Sequence, residues 1–408
     1  MSIMPIVLNY GVSGRFSCSL PPERVIGGRL APTPLACAAD AIRAALEHPL
    51  DFPPLARAVV PGDRVVLALD RHTPEAPGIL AEVWRIFERQ GVEADHVLIL
   101  QPPDWSGGPL ADPRRDLPDN VRAEIEWRIH DLTEPTHQAY LATSAVGERI
   151  YLARELVEAD FVVSIGQVKY DPLLGYRGTN SVFYPGLSSS HAVARAHGQG
   201  HRELEPDDER TLRNMIDEVA WLLGAQFSIQ VIAAGGTGAV EVLAGFDQSV
   251  YHRGKELLAE HWLVRLKNRP QIIVAAVESD AAGHSWTQIG AAMATARNLV
   301  ANGGKVVILS ELRAEVENGM AFVRDAQHPR DALKRLRQQA PPDLIPATQL
   351  AQLADWASVY LLSKMDGDVV EELFMTPLEN EREVQRLLAS DEPCLFLGAA
   401  QNTYGQIE

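Results

Sequence analysis

Apolar and polar positions along this chain follow two rhythms: short continuous hydrophobic runs, and longer stretches with helical period. Residues 4–10 and Arg15 to Leu20 alternate around Gly11 and Gly14, which predicts an N-terminal hairpin. Ala36 to Leu46 is Ala-rich and helical, and Pro49, Pro53 and Pro54 stop it. A β–α–β unit follows, with strand Arg64 to Asp70 (RVVLALD), amphipathic helix Gly78 to Gln90 and strand Val97 to Gln101. Residues 106–135 are turn-rich, and Arg149 to Ala159 carries a helical pattern. The strand Phe161 to Ile165 then empties into a long polar, Gly-rich loop running from Val168 to His201. Further on come helix Thr211 to Leu223, strand Phe227 to Ala234, a tight Gly235–Gly238 turn and helix Tyr251 to Arg265. Asn268-Arg269-Pro270 marks a hinge, after which strand Gln271 to Val277, helix Thr287 to Asn302 and strand Lys305 to Ser310 begin a second α/β unit. The pattern predicts an α/β protein of two domains. Residues 1–267 would form the N-terminal domain, 271–390 the C-terminal one, and the tail, 391–408, would return to the N-terminal domain.

Composition narrows the function. At 408 residues the chain exceeds one typical core, and 46% hydrophobic with 22% charged residues is the balance of a folded protein. Its net charge is 37 − 54 = −17, with the acid spread along the chain. Without a basic face, neither nucleic acid nor an anionic membrane is an expected partner. No window approaches a membrane-spanning length of apolar residues, and the N-terminus lacks a secretory pattern. Cys18, Cys37 and Cys394 form no CxxC spacing, so a reducing, cytoplasmic setting is expected.

Loops leaving strand ends hold the candidate chemistry. Asp70, Arg71 and His72 sit just past a strand, where Arg can clamp a carboxylate and His can move a proton. Asp104 and Asp171 stand on two further loops and would suit paired proton removal and return. His191, His197 and His201 are imidazoles of metal-ligand type, though Gly198 and Gly200 interrupt a helix between the last two.

Taken together, these pieces resemble the nickel-pincer lactate racemase family, the LarA-like proteins. The likeness rests on Tyr10-Gly11, Leu20-Pro21, Ala45-Leu46 with Pro49, and Asp70. Its central part is Ile165-Gly166, Tyr170-Asp171, Gly175-Tyr176-Arg177-Gly178, Pro185-Gly186 and His197, and its last part is Gln288 with Gly303-Gly304-Lys305. The resemblance implies two α/β domains with a cleft between them that holds the active site, and a nickel pincer nucleotide (pyridinium-3,5-bisthiocarboxylic acid mononucleotide) tethered by a Lys and ligated at nickel by a His. It implies racemisation of a 2-hydroxy acid by hydride transfer, assisted by two bases.

Position by position, His197 falls on the metal ligand, and Asp104 and Asp171 fall where the family has its two catalytic histidines. Asn180 or Ser181 stands where the tethering Lys is expected, with Lys169, Arg177 and Gly178 completing the cofactor-binding set. Asp70, Arg71, His72, Tyr176 and Gln288 are the substrate-binding set, with Thr73 near the family's substrate Arg and Ala291 where a Lys is expected. The expected function is a LarA-like racemase or epimerase acting on a small 2-hydroxy acid other than lactate. Two further readings are a member working without the pincer cofactor, as a small-anion binder or noncatalytic protein, and a divalent-metal hydrolase using His197 and His201.

Overall fold

The structure, a computed structural model, describes residues 4–104 and 110–408. The chain divides into two compact units, Thr33–Ala259 on one hand and Met1–Pro32 with Glu260–Glu408 on the other.

The first unit is built on a six-stranded sheet. Its strands in chain order are β1 (Val65–Leu69), β2 (Val97–Gln101), β3 (Glu126–Ile129), β4 (Phe161–Gln167), β5 (Phe227–Ala233) and β6 (Ala239–Phe246). In space they run β6-β5-β4-β1-β2-β3, all parallel except β6, which returns antiparallel from β5. All five residues of β1 and all seven of β5 are buried, as strands covered on both faces must be. Helices Ala38–Glu47 and Ala76–Gln90 pack their apolar sides onto this sheet through Ile42, Leu46, Ile79, Val83 and Phe87. Chain order reverses between β1 and β4, so the loops leaving those strands diverge and open a crevice at their C-terminal ends.

The second unit carries another six-stranded parallel sheet. It orders Met375–Leu378, Ser358–Leu362, Lys305–Leu309, Ile272–Ala276, Cys394–Leu397 and Val25–Arg29. The N-terminal hairpin forms as expected, Met4–Tyr10 pairing with Gly14–Leu20, and belongs to this unit.

The domain boundaries therefore fall elsewhere than the sequence pattern placed them. Val25–Arg29 pairs with Cys394–Leu397, and the final strand Tyr404–Ile407 pairs with Leu263–Leu266, so backbone ladders gather both chain ends and residues after 260 into one unit. The lower boundary lies within helix Asp247–Trp262 and not at Asn268-Arg269-Pro270. Local structure also differs at Arg149–Ala153, a strand paired with Gln138–Thr143 where a helix was expected. Ile150 and Leu152 are buried while Arg149 and Tyr151 are exposed, an alternation only a strand produces. Among the described residues no helix is long and apolar enough to cross a membrane.

Candidate active site

β1 ends at Leu69, and the next residue, Asp70, is only 3% exposed. A charge so buried needs partners. Arg177 supplies them, Nε donating to Oδ2 at 2.7 Å and Nη2 to Oδ1 at 2.8 Å, in a bidentate pair. The Arg71 amide donates to Oδ1 as well, at 2.8 Å. Burial pushes the Asp70 carboxyl upward, but the Arg177 charge and hydrogen bonds, with help from Arg71, outweigh it and bring it down to about 2.

A hairpin following β4 delivers Arg177. It pairs Lys169–Asp171 with Gly175–Arg177, setting Lys169 opposite Arg177, Tyr170 opposite Tyr176 and Asp171 opposite Gly175. Opposed residues share a face and neighbours alternate, so Lys169, Asp171 and Arg177 lie on one side, Tyr170 and Tyr176 on the other. Asp171 Oδ1 accepts from the Leu173 and Leu174 amides, both at 2.9 Å, and Oδ2 lies 3.9 Å from Arg177 Nη1.

The loops after β1 and β2 complete the cluster. Arg71 Nη1 donates to the Pro103 carbonyl at 3.0 Å, and His72 Nε2 is 3.2 Å from Asp104 Oδ2. Burial and the neighbouring Arg177 charge lower Arg71 to about 10, against the opposing pull of Asp70, Asp104 and Asp171. It stays charged at neutral pH. Burial works to lower Arg177 too, but the Asp70 charge overrides it and holds that guanidinium above its usual range. Six sequence candidates, Asp70, Arg71, His72, Asp104, Asp171 and Arg177, thus converge at the C-terminal ends of β1, β2 and β4.

Other candidates lie apart or have local duties. Tyr176, on the opposite hairpin face, donates its hydroxyl to Asp207 Oδ2 at 3.1 Å, and the Lys255 ammonium stands 4.2 Å over its ring. Burial first, and Asp207 with it, push the Tyr176 hydroxyl well above the usual phenol range. Gln288 belongs to the other unit, where its Oε1 accepts from the Ser285 amide at 3.0 Å and the Ser285 hydroxyl at 2.7 Å, capping helix Trp286–Leu299. His197 is the half-buried last residue of helix Ser190–His197. His191 is exposed on that helix, and His201 Nδ1 donates to the Gly198 carbonyl at 2.9 Å. Among the described residues, the trio whose ligand atoms lie within 4.8 Å of one another is the surface group Glu93, Asp95 and His96, so His197 and His201 join no preformed hydrolase site.

Between hairpin and helix lies a glycine-dependent turn. Gly178 has φ +122° and ψ 175°, a backbone region open to glycine alone, and a Cβ there would meet Val168 Cγ2 at 3.1 Å and Gln167 O and Gln230 Oε1 at 3.2 Å. Gly178→Ala should therefore lower stability by about 1–3 kcal/mol, read as a reduced denaturation midpoint, and loosen Arg177 next to it. Past Gly178, Ser181 Oγ accepts from the Gly178 amide at 3.0 Å, and Asn180 Nδ2 donates to Asp247 Oδ2 at 2.7 Å.

Sequence patterns missed several residues here. Ser164, Ser228 and Gln230 form a buried polar row across β4 and β5, linked at 2.9 Å from Ser164 to Ser228 and from Gln230 to Ser228. Polar residues interrupting the apolar FSIQVIA run were the available signal. His130, just past β3, is 3% exposed and donates Nε2–H to the Ser188 carbonyl at 2.8 Å, while burial lowers its basicity. It lies in the stretch that looked merely turn-rich.

A mostly parallel α/β sheet with a cluster of acids and guanidiniums at its switch point is the class of fold that gathers ligands at strand C-terminal ends. Residues 10–206 match the Lactate racemase N-terminal domain family. The chain is 20% identical over 367 residues to the lactate racemase of Thermoanaerobacterium thermosaccharolyticum, covering 86% of this chain and 85% of that protein. The lactate racemase apoprotein structure from the same organism superposes with a TM-score of 0.80 at 18% identity, over 99% of this chain and 100% of that one. A Thermotoga maritima protein structure matches with a TM-score of 0.66 at 13% identity, covering 93% of this chain and all of that one. The family match thus spans residues 10–206, and the chain as a whole shares the fold of a lactate racemase apoprotein.

The nickel pincer nucleotide that the sequence resemblance implies sets a test for the residues around Gly178. Among the described residues, Asn180 Oδ1, Gln230 Oε1 and Arg213 Nη1 are buried without hydrogen-bond partners, and buried orphans of this kind mark a place for a polar ligand or water. Arg213 Nη2 reaches Thr179 Oγ1 at 3.5 Å, beside the same turn. These groups fit an anionic nucleotide held by hydrogen bonds and charge. They do not fit one bonded to position 180 or 181, where an amide and a hydroxyl already serve Asp247 and Gly178.

Proposed function

We propose that the protein is a racemase or epimerase of a small 2-hydroxy acid other than lactate, working by hydride transfer with a noncovalently held nickel pincer nucleotide. The observation that carries this reading is the gathering of Asp104 and Asp171 around one pair of guanidiniums, Arg71 and Arg177, at the switch point. In it, the Asp70–Arg177 pair is the fixed floor of the site, and Arg71 binds the substrate carboxylate. Asp104 and Asp171 hold and return the hydroxyl proton. An aspartate starts from a pKa of about 3.9 where a histidine starts from about 6.5, so these carboxylates work as bases only when the substrate shuts out water. Thr73 stands where the family pattern has Arg, with Arg71 as the displaced substitute, and the moved cation favours an acid unlike lactate.

Lys169, Gly178, Asn180, Ser181 and Arg213 would hold the nucleotide, and His197 would ligate its metal. When bound, the group supplies a two-electron acceptor for the hydrogen at C2. The absence of an amine at 180–181 favours, as the second reading, a small-anion binder that never takes the cofactor. Co-expression with the cofactor-making enzymes separates the two. The first reading expects bound nickel by mass spectrometry and interconversion of enantiomers in a panel of 2-hydroxy acids. It also expects His197→Ala to lose the nickel. Nickel-free protein, inert toward the whole panel, would favour the second.

A further inference from the structure

We propose that His72 is a proton-transfer group of this site and that Asp104 is the positioning carboxylate that holds it. The role rests on the 2-hydroxy-acid reading above and revises one part of it: the proton assigned there to Asp104 passes to the imidazole, and Asp104 keeps the positioning duty. His72 Nε2 lies 3.2 Å from Asp104 Oδ2, and both side chains are partly buried. An ionised carboxylate only accepts hydrogen bonds, so Nε2 carries the ring's proton and Nδ1 is left as its basic nitrogen. The two residues come from loops after adjacent parallel strands, β1 and β2, where this sheet class binds its ligands. The His72 backbone is also held at φ +55°, a conformation few side chains adopt, and such residues gather at functional sites.

The charged groups of the cluster are Asp70 and Arg71 from His72's own loop, Asp104 from the loop after β2, and Lys169, Asp171 and Arg177 from the hairpin. Of these, Asp104 holds the ring, and its carboxylate against Nε2 steadies the imidazolium that forms as the substrate's hydroxyl gives up its proton. In that step the O–H bond breaks and the N–H bond at Nδ1 forms. The oxygen's electron pair closes the C2=O double bond as hydride leaves C2 for a two-electron acceptor. The return step runs the same transfers backwards.

Two measurements test this. In nickel-loaded enzyme, His72→Gln should lower kcat by roughly 100-fold or more while KM and nickel content hold, and should erase the acid limb of the kcat/KM profile. Asp104→Asn should move that limb to lower pH, because removing a neighbouring negative charge makes the ring a weaker base. A His72→Gln enzyme with kcat and pH profile like the parent would overturn the assignment. The second measurement needs no turnover: the His72 ring is titrated by NMR in unloaded protein. A midpoint lower in Asp104→Asn than in the parent supports the dyad, and equal midpoints overturn it. If the parent racemises no 2-hydroxy acid, the functional reading fails on its own while the NMR comparison still judges the dyad.

Discussion

Asp70→Asn is expected to destabilise the unit Thr33–Ala259 by about 3–5 kcal/mol, the cost of leaving one partner of a buried ion pair alone. The side chains involved are 4% exposed for Asp70 and 19% for Arg177, so little solvent can step in for the lost charge. The asparagine keeps the shape and can still accept one hydrogen bond, but Arg177 would keep a desolvated charge with only the more distant Asp171, at 3.9 Å, to balance it. Urea denaturation at neutral pH measures the loss, and Asp70→Asn combined with Arg177→Met should recover part of it, as coupled neighbours do. The pH dependence has a fixed sign. The Asp70 carboxyl is lowered from 3.8 to about 2, so its contribution, about 2 kcal/mol, is fully present above pH 4 and is lost as pH falls through about 2. The asparagine variant should lack that portion of the acid transition. Equal stability of parent and variant at pH 7 would show that the pair does not hold this crevice together.

Asp171→Asn should leave the fold intact and lower turnover by roughly 100- to 10,000-fold, the range for removing a general acid or base. The reason for separating fold from chemistry lies in the two oxygens. Oδ1 caps the Leu173 and Leu174 amides, a duty an asparagine Oδ1 can perform, whereas Oδ2 faces Arg177 and can be replaced only by an amide nitrogen. Steady-state kinetics on nickel-loaded enzyme, beside a denaturation curve, would check both halves. Lost stability with unchanged turnover would assign Asp171 to the turn alone.

How much of this was legible in the sequence varied with how local the cause is. β1, β2 and β4 announce themselves as apolar runs because both faces of their sheet are covered. β3, an edge strand reading Glu-Trp-Arg-Ile, buries no residue fully and so carries no such run. Arg149–Ala153 was hidden by the real helix that follows it at Arg154–Glu158, which extends a helical composition backwards. The unit boundary depends on Val25–Arg29 pairing with Cys394–Leu397, and no window of neighbouring residues records such a ladder.

The site follows the same rule. Asp70, Arg71, His72, Asp104 and Asp171 were visible because each sits just past an apolar strand or on the loop it feeds. The pairing of Asp70 with Arg177, a residue named only as a cofactor contact, was not, since Arg177 reaches it only through the register of a short hairpin. Gln288 shows the converse. The Ser285–Gln288 spacing is a capping box in its own right, and the structure uses it as one.

The central claim is that this crevice interconverts the enantiomers of a 2-hydroxy acid by moving hydride, with side chains handling only the hydroxyl proton. Incubating nickel-loaded protein with a single enantiomer in deuterium oxide, and following C2 by NMR alongside chiral chromatography, tests it directly. The account predicts a mixture of enantiomers that retain protium at C2. Deuterium appearing at C2 in step with racemisation would contradict it, because the hydrogen would then have left as a proton.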